Sequence, residues 1–339
     1  MVSAASASLY RAARREAVFI DRIDRGRLVA AGPDRASYLQ GLLTNDVAAL
    51  KSGHGCYAAY LTPQGRMIAD LFVYELGDLM LLSMPIAVKD TVLAKLEQFI
   101  FTEDVKIGDV TETFEQIAVF GPAAAAVLGG ALDDVPAGAL EALPEHGNRR
   151  ARVAGQPAIV TRVTDAGEPG YDVYVERPHG AALRSTLSAA RVGELDSETA
   201  EAIRIEGGVP RFGRDMDEET IPLEAGIEGR AISFSKGCYV GQEVIIRVLH
   251  RGHGRVARKL VGLRIEGAVA PPAGTAIRAG DREVGRVTSS AISPALEQPI
   301  ALAYLHRDFL TPGTAVSVDG AAAVVTELPF VKTTSIPLV

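Results

Sequence analysis

The chain has 339 residues, of which 47% are hydrophobic and 23% are charged, and these proportions exclude a disordered or low-complexity protein. Its net charge of −7 argues against a surface that binds nucleic acid or an anionic membrane throughout, because such surfaces are densely positive. The most apolar window, residues 79–88, is about half the length of a bilayer-spanning helix, so no membrane span is expected. Two cysteines in the whole chain exclude a disulfide scaffold and favour a reducing compartment. We therefore expect a cytoplasmic protein.

The first 250 residues alternate strand-like and helix-like patterns. Residues 21–30 are predicted to be one strand, and Asp34 is expected to cap a following helix that carries Tyr38 and Leu39 on its apolar face. Strands at 56–61 and 67–74 flank a Pro-x-Gly turn and predict a hairpin. Further strands are predicted at 79–84, 104–110, 116–120, 150–154, 158–164 and 171–176, with helices at 88–101, 122–131, 179–190 and 197–206. Because this order has no regular β-α-β repeat, it favours the α+β class.

The pattern changes after Gly254. Short segments rich in Val, Ile and Thr follow one another between Gly, Pro and Asp, with no convincing helix among them. They span residues 257–266, 275–279, 282–289, 300–304 and 314–327. These segments predict a separate C-terminal all-β barrel or sandwich, which divides the chain into an α+β region of 1–250 and a β-domain of 255–339.

The most distinctive motif is the octapeptide Lys236-Gly237-Cys238-Tyr239-Val240-Gly241-Gln242-Glu243. Two glycines bracket Cys238, so the backbone can turn sharply and present the thiol on a loop. In an exposed loop, Lys236 at ~4 Å would stabilise a thiolate by about 1 kcal/mol, which is less than one pKa unit. The alternative is a small buried cysteine before a strand at 244–246. The charged neighbours make burial awkward and favour a functional thiol, whereas Cys56 has no motif around it and is interpreted as a core residue.

A basic stretch follows the octapeptide. Between Val244 and Leu260 the chain carries Arg247, Arg251, Arg255, Arg258 and Lys259 together with two histidines and no acid. Such a stretch can bind carboxylates or phosphates, although a solvated face explains it equally well. A single thiolate cannot hold an iron–sulfur cluster, and no zinc-type spacing is present, so no metal site is predicted.

Several segments in a fixed order resemble the YgfZ-type folate-binding proteins, which are relatives of the glycine cleavage T-protein (aminomethyltransferase) family. The octapeptide resembles the YgfZ signature, and the other segments resemble blocks shared with the T-protein over most of the chain. These blocks are Gly32–Arg35, Leu39–Val47, Gly65–Leu71, Gly167–Val173, Arg204–Pro210, Ile221–Gly226 and Gly285–Ser290.

The resemblance implies a ring of α+β units, with two interleaved subdomains, around a central folate channel closed by the barrel. It implies tetrahydrofolate or a derivative as cofactor. Glu168 lies in the block that contacts the pterin in the T-protein, where a carboxylate suits the pterin N–H groups, and Tyr171 lies beside it. Arg204, Arg230 and Arg247 are candidates for the anionic glutamate tail, and Gln242 is a further folate-binding candidate.

The resemblance is compatible with three functions, and it does not decide whether the protein is an enzyme. The favoured hypothesis is a monomeric folate-binding accessory protein for assembly or repair of iron–sulfur proteins, with Cys238 and Lys236 providing thiol chemistry and those proteins or their assembly machinery as partners. The alternative is a folate-dependent one-carbon enzyme, an aminomethyltransferase or demethylase. It would use Asp90, which resembles the T-protein aspartate in position but is also well placed to cap a helix. A tRNA-modification factor is the weakest interpretation.

Overall fold

The computed structural model describes residues 4–250 and 254–332, which form two open sheets and a barrel. Three single-turn 3₁₀ helices cover Ile86–Val88, Arg177–His179 and Arg307–Phe309. In chain order the other elements are α1 (Ala4–Arg15), β1 (Val18–Asp21), β2 (Arg25–Ala31), α2 (Arg35–Leu42), β3 (Gly55–Leu61), β4 (Met67–Glu75), β5 (Leu79–Pro85), α3 (Lys89–Gln98), β6 (Lys106–Asp109), β7 (Phe114–Phe120), α4 (Ala124–Ala131), α5 (Ala137–Glu141), β8 (Asn148–Val153), β9 (Gln156–Val163), β10 (Gly170–Glu176), α6 (Gly180–Ala189), β11 (Gly193–Glu194), α7 (Ser197–Glu206), α8 (Pro222–Ala225), α9 (Glu228–Ala231), α10 (Gln242–His250), β12 (Arg258–Ile265), β13 (Ala276–Ala279), β14 (Arg282–Ser293), β15 (Gln298–His306), β16 (Ala315–Val318) and β17 (Ala321–Thr326).

The first sheet is antiparallel, in the order β3-β4-β5-β2-β6. Because side chains alternate along a strand, Tyr60 and Ala69 lie in the core that contains residues of α2 and α3, while Tyr57 and Phe72 point to the opposite face. Both faces of the β3–β4 hairpin are therefore buried, which explains its nearly continuous apolar sequence. The expected side-chain cap of α2 is not formed: Asp34 occupies the N-cap position, but its Oδ2 accepts from the backbone N–H of Asp104.

The second sheet has the order β11-β1-β7-β10-β9-β8, and helices α4, α5 and α6 cover one of its faces. Strand β1 belongs to this sheet, whereas β2 belongs to the first. The single strand predicted at 21–30 is therefore wrong, because the chain leaves one sheet after Asp21 and enters the other at Arg25. This crossing at residues 22–24 places polar side chains between the two sheets.

The C-terminal strands close into a six-stranded barrel in the order β12-β15-β14-β13-β16-β17. Its interior is filled by alternating apolar side chains such as Leu263, Ile277, Val287 and Ala303. The predicted α+β class and the C-terminal β-barrel are thus confirmed. None of the helices in residues 4–250 and 254–332 is long and apolar enough to cross a bilayer.

Residues 244–246 were expected to form a strand and instead lie in helix α10. Ile245 is fully buried, and Val248 and Leu249 pack against the same core, whereas Ile246 and Arg247 point outward. These apolar positions follow a helical spacing of three to four residues. One-sided packing at that spacing outweighs the β-propensity of three consecutive branched residues. Arg251 and His253 of the basic stretch lie outside the described residues.

Candidate active site

A cavity of about 320 Å³ opens between the two sheets, where the segment 209–214 covers it. Aromatic rings of Tyr57, Phe72 and Phe212 form part of its wall. Among the described residues, six arginines and three aspartates also line it, so the cavity carries an excess of positive charge. The arginines are Arg22, Arg25, Arg204, Arg211, Arg214 and Arg230, and the aspartates are Asp24, Asp70 and Asp165.

Asp70 is the most unusual group in this wall. It lies within the mainly apolar strand β4, whose other acid, Glu75, is its last residue, and it is 7% exposed. Its Oδ2 accepts a 2.8 Å hydrogen bond from the hydroxyl of Tyr57, while its Oδ1 has no hydrogen-bond partner among the described residues. Burial raises the pKa of Asp70, and the positive charge of Arg25 and the Tyr57 hydrogen bond oppose that rise. The site therefore holds a carboxylate with one unused oxygen in a largely dry environment.

Arg25 supplies the cation next to this carboxylate. Its Nη2 donates 2.7 Å to the carbonyl oxygen of Ser83, and its guanidinium lies 5.2 Å from the centre of the Phe72 ring. It forms no salt bridge within the described part of the chain, although the residue is only 6% exposed. A buried guanidinium with free donors is suited to bind a carboxylate of a ligand.

A network around Arg22 holds the wall of the second sheet in place. Arg22 donates 2.9 Å and 3.2 Å to the two carboxylate oxygens of Asp165, and it lies 3.8 Å from Asp172. Although burial opposes it, the charge of Arg22 keeps the pKa of Asp165 well below its usual range. Gln116 donates 2.7 Å to Asp172, whose pKa is raised by burial. The two carboxylates thus differ because Arg22 donates hydrogen bonds to Asp165, whereas it makes only the longer contact with Asp172.

Two of the arginines proposed for an anionic tail do not offer a free guanidinium. Arg204 is 1% exposed and donates to Glu201 at 2.6 Å, Asp215 at 2.7 Å and Ser289 at 2.9 Å. It borders the cavity, but its donors join α7 to the barrel. Arg247 lies on α10, outside the cavity lining, and pairs with Glu243 at 2.6 Å.

Arg230 does face the cavity. Its guanidinium lies 5.3 Å from the centre of the Tyr57 ring, and its side chain is 40% exposed, with Glu145 as a distant partner at 3.8 Å. Of the three arginines predicted from the sequence, Arg230 is the one available to a ligand. Arg25 and Arg211, which sequence reasoning missed, are further lining cations.

Glu168 and Tyr171 lie away from the lining of this cavity. Glu168 is buried beneath α1, where Arg14 donates to it and also to Glu206. Burial raises the pKa of Glu168, and its contact with Arg14 opposes the rise. Tyr171 packs in the core beneath the helices of the second sheet, whereas its neighbour Asp172 points toward the first sheet.

Cys238 and Lys236 of the octapeptide lie in different environments. Cys238 is exposed, while Lys236 is buried and its Nζ donates to the carbonyl oxygens of Gln40 and Leu43 at 2.6 Å and Asn45 at 3.0 Å. Burial lowers the pKa of Lys236 to about 8. Lys236 therefore anchors the loop to the C-terminal end of α2 and to the segment that follows it. Gln242 begins α10 and is absent from the cavity lining.

Asp90 lies in the first turn of α3, where its side chain is 88% exposed and pairs with Lys89 at 2.7 Å. It does not line the cavity. The carboxylate that does so from the first sheet is Asp70, which sequence reasoning missed. The signal for it was a single acid inside an apolar strand, since such a buried charge is costly and concentrates at functional sites.

Comparison with known proteins agrees with this architecture. The model of the GCVT N-terminal domain matches residues 2–236, and that of the glycine cleavage T-protein C-terminal barrel domain matches residues 258–332. This chain belongs to the glycine cleavage T-protein family. The family resemblance drawn from the sequence is thereby confirmed at the level of the T-protein.

Relatives of this family member include two aminomethyltransferases. That of Streptomyces coelicolor is 30% identical over 332 residues, covering 95% of this chain and 88% of the relative. That of Rubrobacter xylanophilus is 32% identical over 296 residues, covering 87% and 78%. The crystal structure of glycine cleavage system aminomethyltransferase T from Bartonella henselae superposes with a TM-score of 0.87 at 23% identity, covering 97% of this chain and 90% of that one. That structural likeness supports the fold.

Proposed function

We propose that this T-protein family member transfers a one-carbon unit to or from tetrahydrofolate, with aminomethyl transfer as its reaction. The observation that carries the proposal is the buried carboxylate of Asp70, with one unpartnered oxygen, in a cavity rich in arginine and aromatic side chains. The relatives named aminomethyltransferase favour this one-carbon reading over an accessory role in iron–sulfur assembly.

The cavity suits a folate in chemical terms. Flat aromatic rings pack well against aromatic side chains, and here Tyr57, Phe72 and Phe212 are available. The glutamate tail of a folate is anionic, and Arg25 and Arg230 are its proposed partners because neither forms a close salt bridge. Glu168, which the family resemblance links to the pterin, lies with Arg14 outside the lining, so we propose a supporting position for it rather than ligand contact.

Asp70 has the chemistry required by the transfer step. When a folate nitrogen attacks the carbon of an aminomethyl donor X–CH2–NH2, the new N–C bond forms as the C–X bond breaks and X leaves with its electron pair. Positive charge develops on the folate nitrogen, which must lose a proton, and attack by the second folate nitrogen on the same carbon then releases ammonia. A carboxylate in a low-dielectric cavity can stabilise that charge or accept that proton. A raised pKa makes Asp70 a better proton acceptor than an exposed aspartate.

Ligand binding and turnover test the proposal together. Tetrahydrofolate at about 100 times its Kd should stabilise the native protein by about 2.7 kcal/mol, which raises the melting temperature measurably. Incubation with tetrahydrofolate and an aminomethyl donor should then yield methylenetetrahydrofolate. The absence of both a thermal shift and product would refute the proposal.

The YgfZ-type accessory role is a second candidate, and one observation favours it: Cys238 is an exposed thiol on a loop that is held in place by buried Lys236. If that role is correct, Cys238→Ala should bind tetrahydrofolate normally but fail to restore iron–sulfur enzyme activity in a strain that lacks the protein. Full restoration by the variant would exclude the thiol from the function. The cytoplasmic location, the monomeric state and the weak tRNA hypothesis stay predictions.

A further inference from the structure

A second cavity, of about 220 Å³, opens at the other end of the space between the two sheets. It shares no lining residue with the central cavity. Its walls are mainly apolar and come from both sheets, with Val29, Leu79 and Leu81 on one side and Ile159 and Tyr174 on the other. Several of these side chains, including Val29, Leu79 and Ile159, pack against the core between the sheets but are only partly buried.

Arg27 is the one buried cation in this apolar surrounding among the residues that the structure describes. The residue is 5% exposed, its Nη2 donates 2.7 Å to the carbonyl oxygen of Thr111, and its Nε has no hydrogen-bond partner within the described ranges. Arg27 lies on β2, two residues after Arg25. Both side chains therefore point to the same face of the strand, with Arg25 lining the central cavity and Arg27 lining the second.

The acids nearest to Arg27 are already paired. Asp109 contacts Lys89, and Glu112 lies 2.8 Å from Arg177. Among residues 4–250 and 254–332, Arg27 forms no salt bridge. Burial accordingly lowers the pKa of Arg27. A buried charge without a contacting counter-ion is unfavourable, so an anion placed beside it would gain a strong electrostatic interaction.

We propose that this second cavity binds a compact organic carboxylate with an aromatic or branched aliphatic body. Nη1 of Arg27, which donates no hydrogen bond within the described ranges and is not enclosed as Nε is, would bind the carboxylate, and the apolar walls would surround the body of the ligand. One buried cation balances a single negative charge, which disfavours a doubly charged phosphate. The volume lies below the roughly 300–1,000 Å³ of sites for drug-sized ligands, so the ligand is small.

The rim of the cavity adds a second arginine. Arg150 and Asp78 form an exposed ion pair there, with 59% and 65% of their side chains accessible. Because this pair is neutral overall, the positive charge that attracts the ligand comes from Arg27. Substitution of Arg150 should therefore weaken binding much less than substitution of Arg27.

Calorimetric titration with benzoate, phenylacetate and 4-methylpentanoate tests the proposal, with benzamide as the neutral counterpart of benzoate. We expect at least one of the acids to bind saturably. Benzoate should bind at least tenfold more tightly than benzamide. Arg27→Met should reduce that affinity at least tenfold, and Arg27→Lys should reduce it less. Excess tetrahydrofolate should not compete.

Leu79→Trp provides a test that keeps Arg27 and fills the cavity with an indole ring, so it remains decisive if Arg27→Met does not fold. It should abolish binding of the acid while leaving tetrahydrofolate binding unchanged. The proposal is overturned if none of the three acids saturates, if benzamide binds as well as benzoate, if tetrahydrofolate displaces the acid, or if Leu79→Trp binds it as the parent does.

Discussion

The hydroxyl of Tyr57 donates a 2.8 Å hydrogen bond to Oδ2 of Asp70 on the wall of the central cavity. The two residues lie on the neighbouring strands β3 and β4, on the face that points away from α2 and α3. Together with the charge of Arg25, this hydrogen bond favours the ionised form of Asp70, whereas burial opposes it. Burial outweighs the two opposing contributions, so the pKa of Asp70 lies above that of an exposed aspartate.

Asp70→Asn should stabilise the protein near neutral pH. Since burial raises the pKa of Asp70, its contribution to stability is fully present below the unfolded value of about 4 and is lost as the pH rises through the folded value. The neutral amide avoids that loss. Melting temperatures should show the variant above the parent at pH 7 and the difference disappearing near pH 3. A variant less stable at pH 7 would contradict this account of Asp70.

Arg204→Met should cost about 3–5 kcal/mol in the free energy of unfolding, because it leaves Asp215 buried without its partner. Arg214→Met is the matched control. Arg214 pairs with Glu201 at 3.0 Å, as Arg204 does, but its side chain is 57% exposed, so about 0–1 kcal/mol is expected. Urea unfolding measures both. Equal losses would show that Arg204 has no special structural role.

The two cysteines should differ strongly in reactivity. Cys238 is exposed, whereas Cys56 is 8% exposed and burial raises its pKa to about 12. A chromogenic disulfide reagent should modify one thiol rapidly in the native protein and the second only after unfolding. Cys238→Ala should remove the rapid phase and leave the slow one. Rapid labelling of that variant would contradict the buried position of Cys56.

The second glycine of the octapeptide is fixed by packing. Gly241 has a φ of 85°, and a Cβ there would lie 2.6 Å from the carbonyl oxygen of Thr62 at the hairpin turn. Gly241→Ala should therefore cost more than about 1 kcal/mol, as a strained backbone and a clash combine. Gly237 is the control, since a Cβ there meets no atom within 4 Å. Equal stability of the two variants would exclude this packing role.

Much of the fold was predictable because its signals are local. Apolar stretches on either side of a Pro-x-Gly turn identified β3 and β4, and short segments rich in Val, Ile and Thr identified the barrel. Helical spacing identified α2 and α3. The placement of β1 and β2 in different sheets was not predictable, because the sequence of residues 21–30 is typical of one uninterrupted strand. The helix at Gln242–His250 was missed because three consecutive branched residues suggested a strand. The contacts that favour a helix there are made with segments distant in sequence.

The candidate site was predictable only in part. Arg230 was selected from the sequence and faces the cavity, whereas Asp90 was selected on positional resemblance and Asp70 was not considered. To select Asp70 from the sequence, one would have to know which face of β4 lines the cavity. Arg204 was a reasonable candidate by charge, and its contacts with Glu201 and Asp215 become visible only in three dimensions. Sequence patterns thus identify residue types that suit a ligand, whereas tertiary contacts decide which remain free.

The most direct test compares formation of methylenetetrahydrofolate from tetrahydrofolate and an aminomethyl donor by the parent, Asp70→Asn and Asp90→Asn. We predict a loss of at least 100-fold in kcat for Asp70→Asn with tetrahydrofolate affinity retained, in line with the usual contribution of a general base. Asp90→Asn should match the parent. Full activity in Asp70→Asn, or loss in Asp90→Asn alone, would contradict the central claim.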